Sequence, residues 1–127
     1  MLKGWWLVGL GGAVGAILRY AIAVGLQRTV PQQVVPYGTL VVNVIGCLAI
    51  GYVAGWGETR GPLSPEMRLL IIAGLLGGFT TFSSFGLEIH MLARSEQFGK
   101  ALLHIGLHLT VALAAVWVGF GFGSGTR

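Results

Sequence analysis

The sequence predicts an all-α membrane protein with four transmembrane helices, the third of which is broken near its middle. Three observations support this: 54% of the 127 residues are hydrophobic, only 9% are charged, and the mean hydropathy is +0.80. A soluble domain carries about 25% charged residues, so this chain has too little charge to cover a surface that faces water. The expected solvent is a lipid bilayer, with residues 1–127 forming a single four-span domain.

Four apolar stretches are long enough to cross the hydrocarbon core, which takes about 20 residues of helix. They run over residues 5–26, 37–56, 67–93 and 101–122. The short connections contain helix breakers, among them Pro31 and Pro36 in the first loop. Ser64 followed by Pro65 is typical of an N-cap with proline in the first helical position, so the third helix is expected to begin there.

Glycine pairs four residues apart occur along all four spans, and the chain has 22 glycines in total. The pairs are Gly11 and Gly15, Gly51 and Gly55, Gly74 and Gly78, and Gly119 and Gly123. In lipid, such pairs let two helix backbones approach closely, because helix association there relies on packing. Glycine is also common in membrane helices generally, but four pairs over four spans favour a tightly packed, oligomeric bundle.

The positive charges are nearly balanced between the two ends of the spans. Lys3, Arg60, Arg68 and Arg127 fall on one side, which makes four, and Arg28, Arg94 and Lys100 fall on the other, which makes three. The positive-inside rule needs an imbalance, so the chain is expected to insert both ways up and to pair as an antiparallel homodimer, equivalent to an inverted repeat. A fixed topology set by one dominant loop stays open. The cations form no patch, which argues against a nucleic-acid partner.

Residues 77–85, in the third span, combine two adjacent glycines with four hydroxyl side chains and three phenylalanines. The preceding segment, residues 67–78, would make only about 18 Å of helix, which is too short to cross the bilayer alone. A break at this depth is tolerated where the freed backbone groups are buried in protein or line a wet cavity. Freed carbonyls could then coordinate a cation, and freed amides and hydroxyls could receive an anion. The alternative is a continuous helix with a packing face of serine and threonine.

Phe82, Phe85 and Glu88 are spaced three apart and share a helix face. Aromatic rings are positive at their edges, so rings presented edge-on can stabilise a small anion without a formal charge. Such a stripe is also compatible with simple packing. In the second span, Thr39 and Asn43 share a face, and the Asn43 amide offers two donors that suit an anion or an interhelical hydrogen bond.

Arg19 lies inside the first span, where a charge is costly. It is expected either to reach the interface beside Tyr20 or to draw an anion into a vestibule.

His104 and His108 are four apart on the fourth span, a spacing that can bind a metal. A metal site needs three or four ligands, and only Glu88 and His90 remain as candidates. The two histidines are therefore expected to line a polar pathway or to bond to neighbouring helices. The lone Cys47 lies in an apolar run and is interpreted as a packing residue. No nucleophile–base set, phosphate loop or redox motif is present in the sequence, so it does not indicate an enzyme.

Three stretches together resemble the CrcB family, also called Fluc, of small fluoride channels. They are Gly-Gly-Ala-Val-Gly-Ala-Ile-Leu-Arg-Tyr at 11–20, Gly-Thr-Leu-Val-Val-Asn at 38–43 and Gly-Gly-Phe-Thr-Thr-Phe-Ser-Ser-Phe at 77–85. The resemblance implies a dual-topology antiparallel homodimer in the inner membrane, with two pores for passive fluoride export. It also implies a structural sodium ion at the dimer centre, held by the backbone carbonyls of Gly77 and Thr80 from both subunits.

The same resemblance implies roles for individual side chains. Phe82 and Phe85 would present ring edges to fluoride, while Asn43 would orient them and donate to the ion. The residues on or near the remaining polar track would be Thr39, Ser83, Ser84 and Glu88, with Arg19 matching the family's first-span arginine. His104 and His108 depart from the resemblance, because similar proteins tend to carry tyrosine and serine hydroxyls there. This departure leaves room for pH-dependent conduction.

Two alternative functions stay open. A small proton-coupled multidrug antiporter also has four spans, but it needs a membrane-embedded carboxylate. The first, second and fourth predicted spans contain none, and Glu88 lies toward the end of the third. A non-conducting membrane scaffold would explain the glycine pairs but not the clustered hydroxyls.

Overall fold

The computed structural model describes residues 2–29 and 36–125, with side chains from residue 4 onward, and this part of the chain is helical without strands. The helices are α1 (Leu2–Thr29), α2 (Tyr37–Arg60), α3 (65–79), α4 (Phe82–Arg94) and α5 (Phe98–Ser124). Four helical spans are long and apolar enough to cross a membrane, with α3 and α4 together forming the third. The prediction of four transmembrane helices is confirmed, and the protein is a multi-pass membrane protein.

Each helix extends beyond the apolar span predicted for it, α2 only at its C-terminal end. Helical structure continues past the hydrocarbon region because polar residues at the interface still satisfy their backbone through helical hydrogen bonds. The third span begins as predicted: the Ser64 hydroxyl accepts a hydrogen bond from the Met67 amide at 3.2 Å, and Pro65 occupies the first helical position. Pro31 in the predicted first loop and Arg127 lie outside the described residues.

The glycine pairs pack against each other reciprocally. A β-carbon on Gly51 or Gly55 of α2 would overlap the backbone of α5, at Val116 and Phe120. In return, a β-carbon on Gly119 or Gly123 would overlap the backbone of α2, at Leu48 and Tyr52. The pairs of α1 and α3 meet in the same way: Gly11 and Gly15 lie against α3, and Gly74 and Gly78 lie against α1. The predicted close packing is confirmed, and it joins α1 to α3 and α2 to α5.

The outer surface is largely apolar, and several polar side chains are buried. Large apolar residues such as Trp5, Trp117 and Phe122 are exposed, while His104, His108 and Thr81 are buried. An outer surface of this kind is stable in lipid, where apolar side chains have no reason to avoid the solvent. Among the described residues, the buried polar side chains are Thr39, Thr81, His104 and His108.

Two helices contain π-helical segments that the sequence did not predict. One is Arg68–Leu76 in α3, and the other is His108–Ala112 in α5. π-helical turns are rare and often lie at functional sites. The second segment begins at His108, one of the polar residues singled out from the sequence.

Candidate functional site

The third span is interrupted at Thr80 and Thr81. Thr80 has φ −83° and ψ 158°, and Thr81 has φ −150° and ψ 119°, so both residues are extended between two helical stretches. The second stretch starts at Phe82 because the Thr81 hydroxyl caps it, accepting a hydrogen bond from the Ser84 amide at 3.2 Å. The predicted break is confirmed, and a continuous helix with a serine and threonine face is ruled out.

Asn43 of α2 holds the break through its side-chain amide. The Thr81 N–H donates to Asn43 Oδ1 at 2.9 Å, and Asn43 Nδ2 donates to the Thr81 carbonyl at 3.0 Å. Asn43 thus supplies both partners that the Thr81 peptide groups would otherwise lack inside the bilayer. Of the two roles considered for this amide, the interhelical hydrogen bond is present in the structure.

The break also frees two carbonyls from their helical donors. In a continuous helix the carbonyl of residue i accepts from the amide of residue i+4. The Thr81 amide, which would serve Gly77, donates to Asn43, and the Ser84 amide, which would serve Thr80, donates to the Thr81 hydroxyl. Both Gly77 and Thr80 line an open groove of about 430 Å³. Carbonyl oxygens of this kind are suitable ligands for a hard cation.

The two phenylalanines of α4 lie at the same groove, together with Asn43 and His108. The Phe82 and Phe85 rings are 5.5 Å apart between centroids and tilted by 54°. Phe82 is 82% exposed, whereas Phe85 packs on the His108 ring with centroids 4.1 Å apart. The structure therefore brings together the aromatic, amide and imidazole groups that the sequence singled out separately.

His104 and His108 bond to neighbouring helices. His104 Nε2 lies 2.9 Å from Glu88 Oε2, and the Thr39 hydroxyl donates to the other oxygen of the same carboxylate. His108 Nε2 lies 3.3 Å from Asn43 Nδ2. Within residues 2–29 and 36–125, no three histidine, cysteine or acidic side chains are placed to hold a metal.

Arg19 faces a second, smaller cavity of about 220 Å³, which it shares with Thr39, Thr81 and Ser84. It is partly buried, and within the described part of the chain it forms neither a hydrogen bond nor an ion pair. Its guanidinium donors are therefore available to a ligand in that cavity. Ser83 is exposed, and its hydroxyl lies 3.3 Å from the Thr81 hydroxyl.

Thr81 is the residue that sequence reasoning missed. Its backbone is held by Asn43, and its hydroxyl caps α4 and contacts both Ser83 and Ser84. The signal was available: threonine is one of the residues preferred as an N-cap directly before a helical stretch. Recognising it would have placed the break at Thr80 and Thr81 rather than somewhere within residues 77–85.

Comparison with known proteins gives consistent results. A family model described as "CrcB-like protein, Camphor Resistance (CrcB)" matches residues 6–120. The "Fluoride-specific ion channel FluC" of Methylobacillus flagellatus is 44% identical over 114 residues, covering 90% of this chain and 89% of that protein. The protein of the same name from Nitratidesulfovibrio vulgaris is 43% identical over 117 residues, covering 92% and 94%. From its sequence and from these matches along most of its length, the chain belongs to the CrcB family.

Proposed function

We propose that two copies of this chain form a channel that passes fluoride passively out of the cytoplasm across the inner membrane. The proposal draws on the family membership and on the relatives that are named as fluoride-specific channels. The observation that carries it is the broken third span, where Asn43 fixes Thr81 and two phenylalanine rings stand beside the break. A helix interrupted inside the bilayer is costly unless the freed backbone groups are buried in protein or line a water-filled cavity.

The ion path would follow the polar side chains around the break. Arg19 attracts the anion into the small cavity, and Phe82 and Phe85 offer positive ring edges without the full charge that would trap it. Polar groups along the remaining path are supplied by Thr39, Asn43, Ser83, Ser84, Glu88, His104 and His108. Because fluoride is strongly hydrated, the serine and threonine hydroxyls on this path can replace part of the water that the ion gives up.

The second copy is expected to run antiparallel to the first. The near-equal charge on the two sides of the membrane supports insertion in both orientations. The groove beside the break supports a partner at this face, since it is open, mostly apolar and bordered by the exposed Phe82 ring. Two such chains would place two breaks together at the dimer centre, with one pore on each side.

A sodium ion would fit at that centre. The Gly77 and Thr80 carbonyls have lost their helical donors, and both residues line the groove, so we expect four such oxygens to converge in a dimer. When bound, sodium would supply a positive charge that attracts the carbonyl oxygens of both breaks. The residues of this chain would hold the ion by backbone oxygen alone, with no carboxylate required.

The direction of transport follows from acid–base chemistry. Hydrogen fluoride is a neutral weak acid that crosses membranes and dissociates in the more alkaline cytoplasm, where the anion is trapped. The membrane potential drives anions outward with about 2.3 kcal/mol per charge per 100 mV. A passive pore therefore suffices for export.

The test is ion efflux from liposomes that contain the purified protein. We expect rapid loss of fluoride, negligible loss of chloride, and near-complete loss of flux in Phe82→Ile or Phe85→Ile. Phe98→Ile is the matched control, because Phe98 is an exposed phenylalanine at the start of α5, outside the groove. Equal rates for the two anions would refute fluoride selectivity, and flux of neither anion would favour a membrane scaffold.

The antiporter alternative is tested in the same vesicles. Glu88 is the carboxylate that such a transporter would use, and its pairing with His104 resembles a proton-binding arrangement. With equal pH on both sides and a membrane potential set by a potassium gradient, a channel still passes fluoride. A transporter coupled to protons would instead respond to an imposed pH gradient.

A further inference from the structure

The Asn43 side chain directs both of its N–H donors and one acceptor position of its oxygen to protein groups. Oδ1 accepts from the Thr81 amide, and Nδ2 donates to the Thr81 carbonyl. The second N–H of Nδ2 points to His108 Nε2 at 3.3 Å. Because Nδ2 is a donor only, His108 Nε2 must be the acceptor and must carry no proton.

The other nitrogen of His108 confirms this assignment. Nδ1 lies 3.0 Å from the carbonyl oxygen of His104, which can only accept, so Nδ1 carries the proton. The hydrogen-bond network therefore requires the neutral imidazole in its Nδ1–H tautomer. His108 is mostly buried, and Phe85 packs on its ring, so the imidazole has little freedom to turn away.

If His108 Nε2 carried a proton, it and Asn43 Nδ2 would both be donors, and no hydrogen bond could form between them. The Asn43 amide could accept from the protonated ring only by rotating by half a turn. After that rotation Nδ2 would face the Thr81 N–H and Oδ1 would face the Thr81 carbonyl, so both bonds that hold the break would be lost. The imidazolium and the clamped break therefore exclude each other.

We propose that neutral His108 is a positioning residue, which fixes the Asn43 amide on the helix break, and that protonation of Nε2 releases it. The inference rests on the proposed function for its flux measurement, and it predicts that fluoride flux falls as the pH is lowered. Unperturbed histidine titrates at about pH 6.5, so its charge can change within the physiological range.

Three other titratable groups of the described residues lie near His108 or line the same groove. His104 lies on the same helix with its ring 4.5 Å away, and Glu88 of α4 is bonded to His104. Cys47 of α2 lines the same groove. None of these takes part in the three contacts that define the Asn43 orientation, so the pH effect is assigned to His108 rather than to them.

Two substitutions distinguish the role of Nδ1 from that of Nε2 in His108. In His108→Gln the side-chain oxygen can occupy the place of Nε2 and accept from Asn43 without titrating. In His108→Asn the shorter amide can reach only the place of Nδ1, so the bond to the His104 carbonyl is kept and the acceptor for Asn43 is lost. Both variants are first compared for folding by size-exclusion chromatography.

Fluoride efflux is measured between about pH 5.5 and about pH 8, with the leak of hydrogen fluoride from protein-free vesicles subtracted at each pH. Loss of the two hydrogen bonds between Asn43 and Thr81, at about fivefold each, predicts that the natural protein slows by up to about 25-fold across this range. His108→Gln should show one rate at every pH, whatever its absolute value, and His108→Asn should be slower than His108→Gln throughout. Glu88→Gln and Cys47→Ser should retain the pH dependence whatever their absolute rates.

A fluoride-independent measurement accompanies the flux. Nitrogen-15 NMR of histidine-labelled protein in lipid, near pH 8, should identify an imidazole with a protonated Nδ1 and a bare Nε2, and this signal should vanish in His108→Gln. A pH-independent natural protein, a pH dependence that disappears with Glu88→Gln instead, or an Nε2–H tautomer would each overturn the inference. Absence of flux at all pH values would refute the proposed channel. The NMR result would still show whether neutral His108 accepts the hydrogen bond that fixes the Asn43 amide.

Discussion

One asparagine side chain replaces a piece of helical backbone. Asn43 gives the Thr81 peptide groups the acceptor and the donor that a continuous helix would provide. The sequence indicated that Asn43 was important, because an amide inside a span needs partners. It could not identify the partner as a main-chain group, since every residue offers the same peptide and only the fold selects one.

For Glu88 too, the sequence predicted the position of the side chain but not its hydrogen-bond partners. Its position on the face of Phe82 and Phe85 was predictable from spacing, but its bonds to Thr39 and His104 depend on how three helices assemble. The carboxylate joins α2, α4 and α5 through these two side chains. His104 is 0% exposed, so its Nε2 has no water to replace the carboxylate.

At the scale of this residue we expect Glu88→Ala to lower the free energy of unfolding by about 1–3 kcal/mol, because it leaves a buried imidazole nitrogen without its hydrogen-bond partner. Glu88→Gln should cost about 1 kcal/mol, since the amide oxygen can still accept one of the two hydrogen bonds. The fraction of protein that stays monodisperse after heating in detergent measures the difference. Equal losses in the two variants would show that the pair with His104 contributes little.

At the scale of the elements, the number and the approximate position of the helices were predictable. The apolar stretches, the Ser64 cap and the glycine-rich break all appear in the sequence as local patterns. The π-helical segments Arg68–Leu76 and His108–Ala112 were not predictable, because their amino-acid composition does not differ from that of an α-helix.

The glycine contacts allow a direct test of helix packing. A β-carbon on Gly119 would overlap the Leu48 carbonyl, so we expect Gly119→Ala to destabilise the protein by about 1–3 kcal/mol through overpacking. Gly106→Ala is the matched control on the same helix, because nothing lies within 4 Å of the added carbon. Thermal stability in detergent should fall only in the first variant; a similar fall in both would attribute the effect to helix backbone rather than to packing.

At the scale of the whole molecule, the pairing of helices was beyond the sequence. Each of the four glycine pairs is compatible with any other pair, so spacing alone does not determine that α1 meets α3 and α2 meets α5. The three-dimensional structure resolves this choice, because each pair finds its backbone neighbours in one particular helix.

Orientation in the membrane also belongs to this scale. With four positive charges on one side and three on the other, we expect a C-terminal tag to be accessible from both faces of the membrane in a mixed population. Adding two lysines after Thr59 should shift the population toward one orientation and reduce fluoride flux when that variant is expressed alone. One-sided labelling of the unmodified chain would contradict the antiparallel dimer.

The reciprocal glycine contacts have a consequence for how such a protein can change. Since main chain contacts main chain between the paired helices, the packing of these helices depends little on the size of the side chains that surround the break. Polar side chains in the interior can therefore be substituted, for example imidazole by hydroxyl, without a shift of the helix axes. A library that varies only positions 39 and 108, and leaves the pair of Glu88 and His104 intact, should accordingly yield many folded proteins whose ion preference and pH response differ.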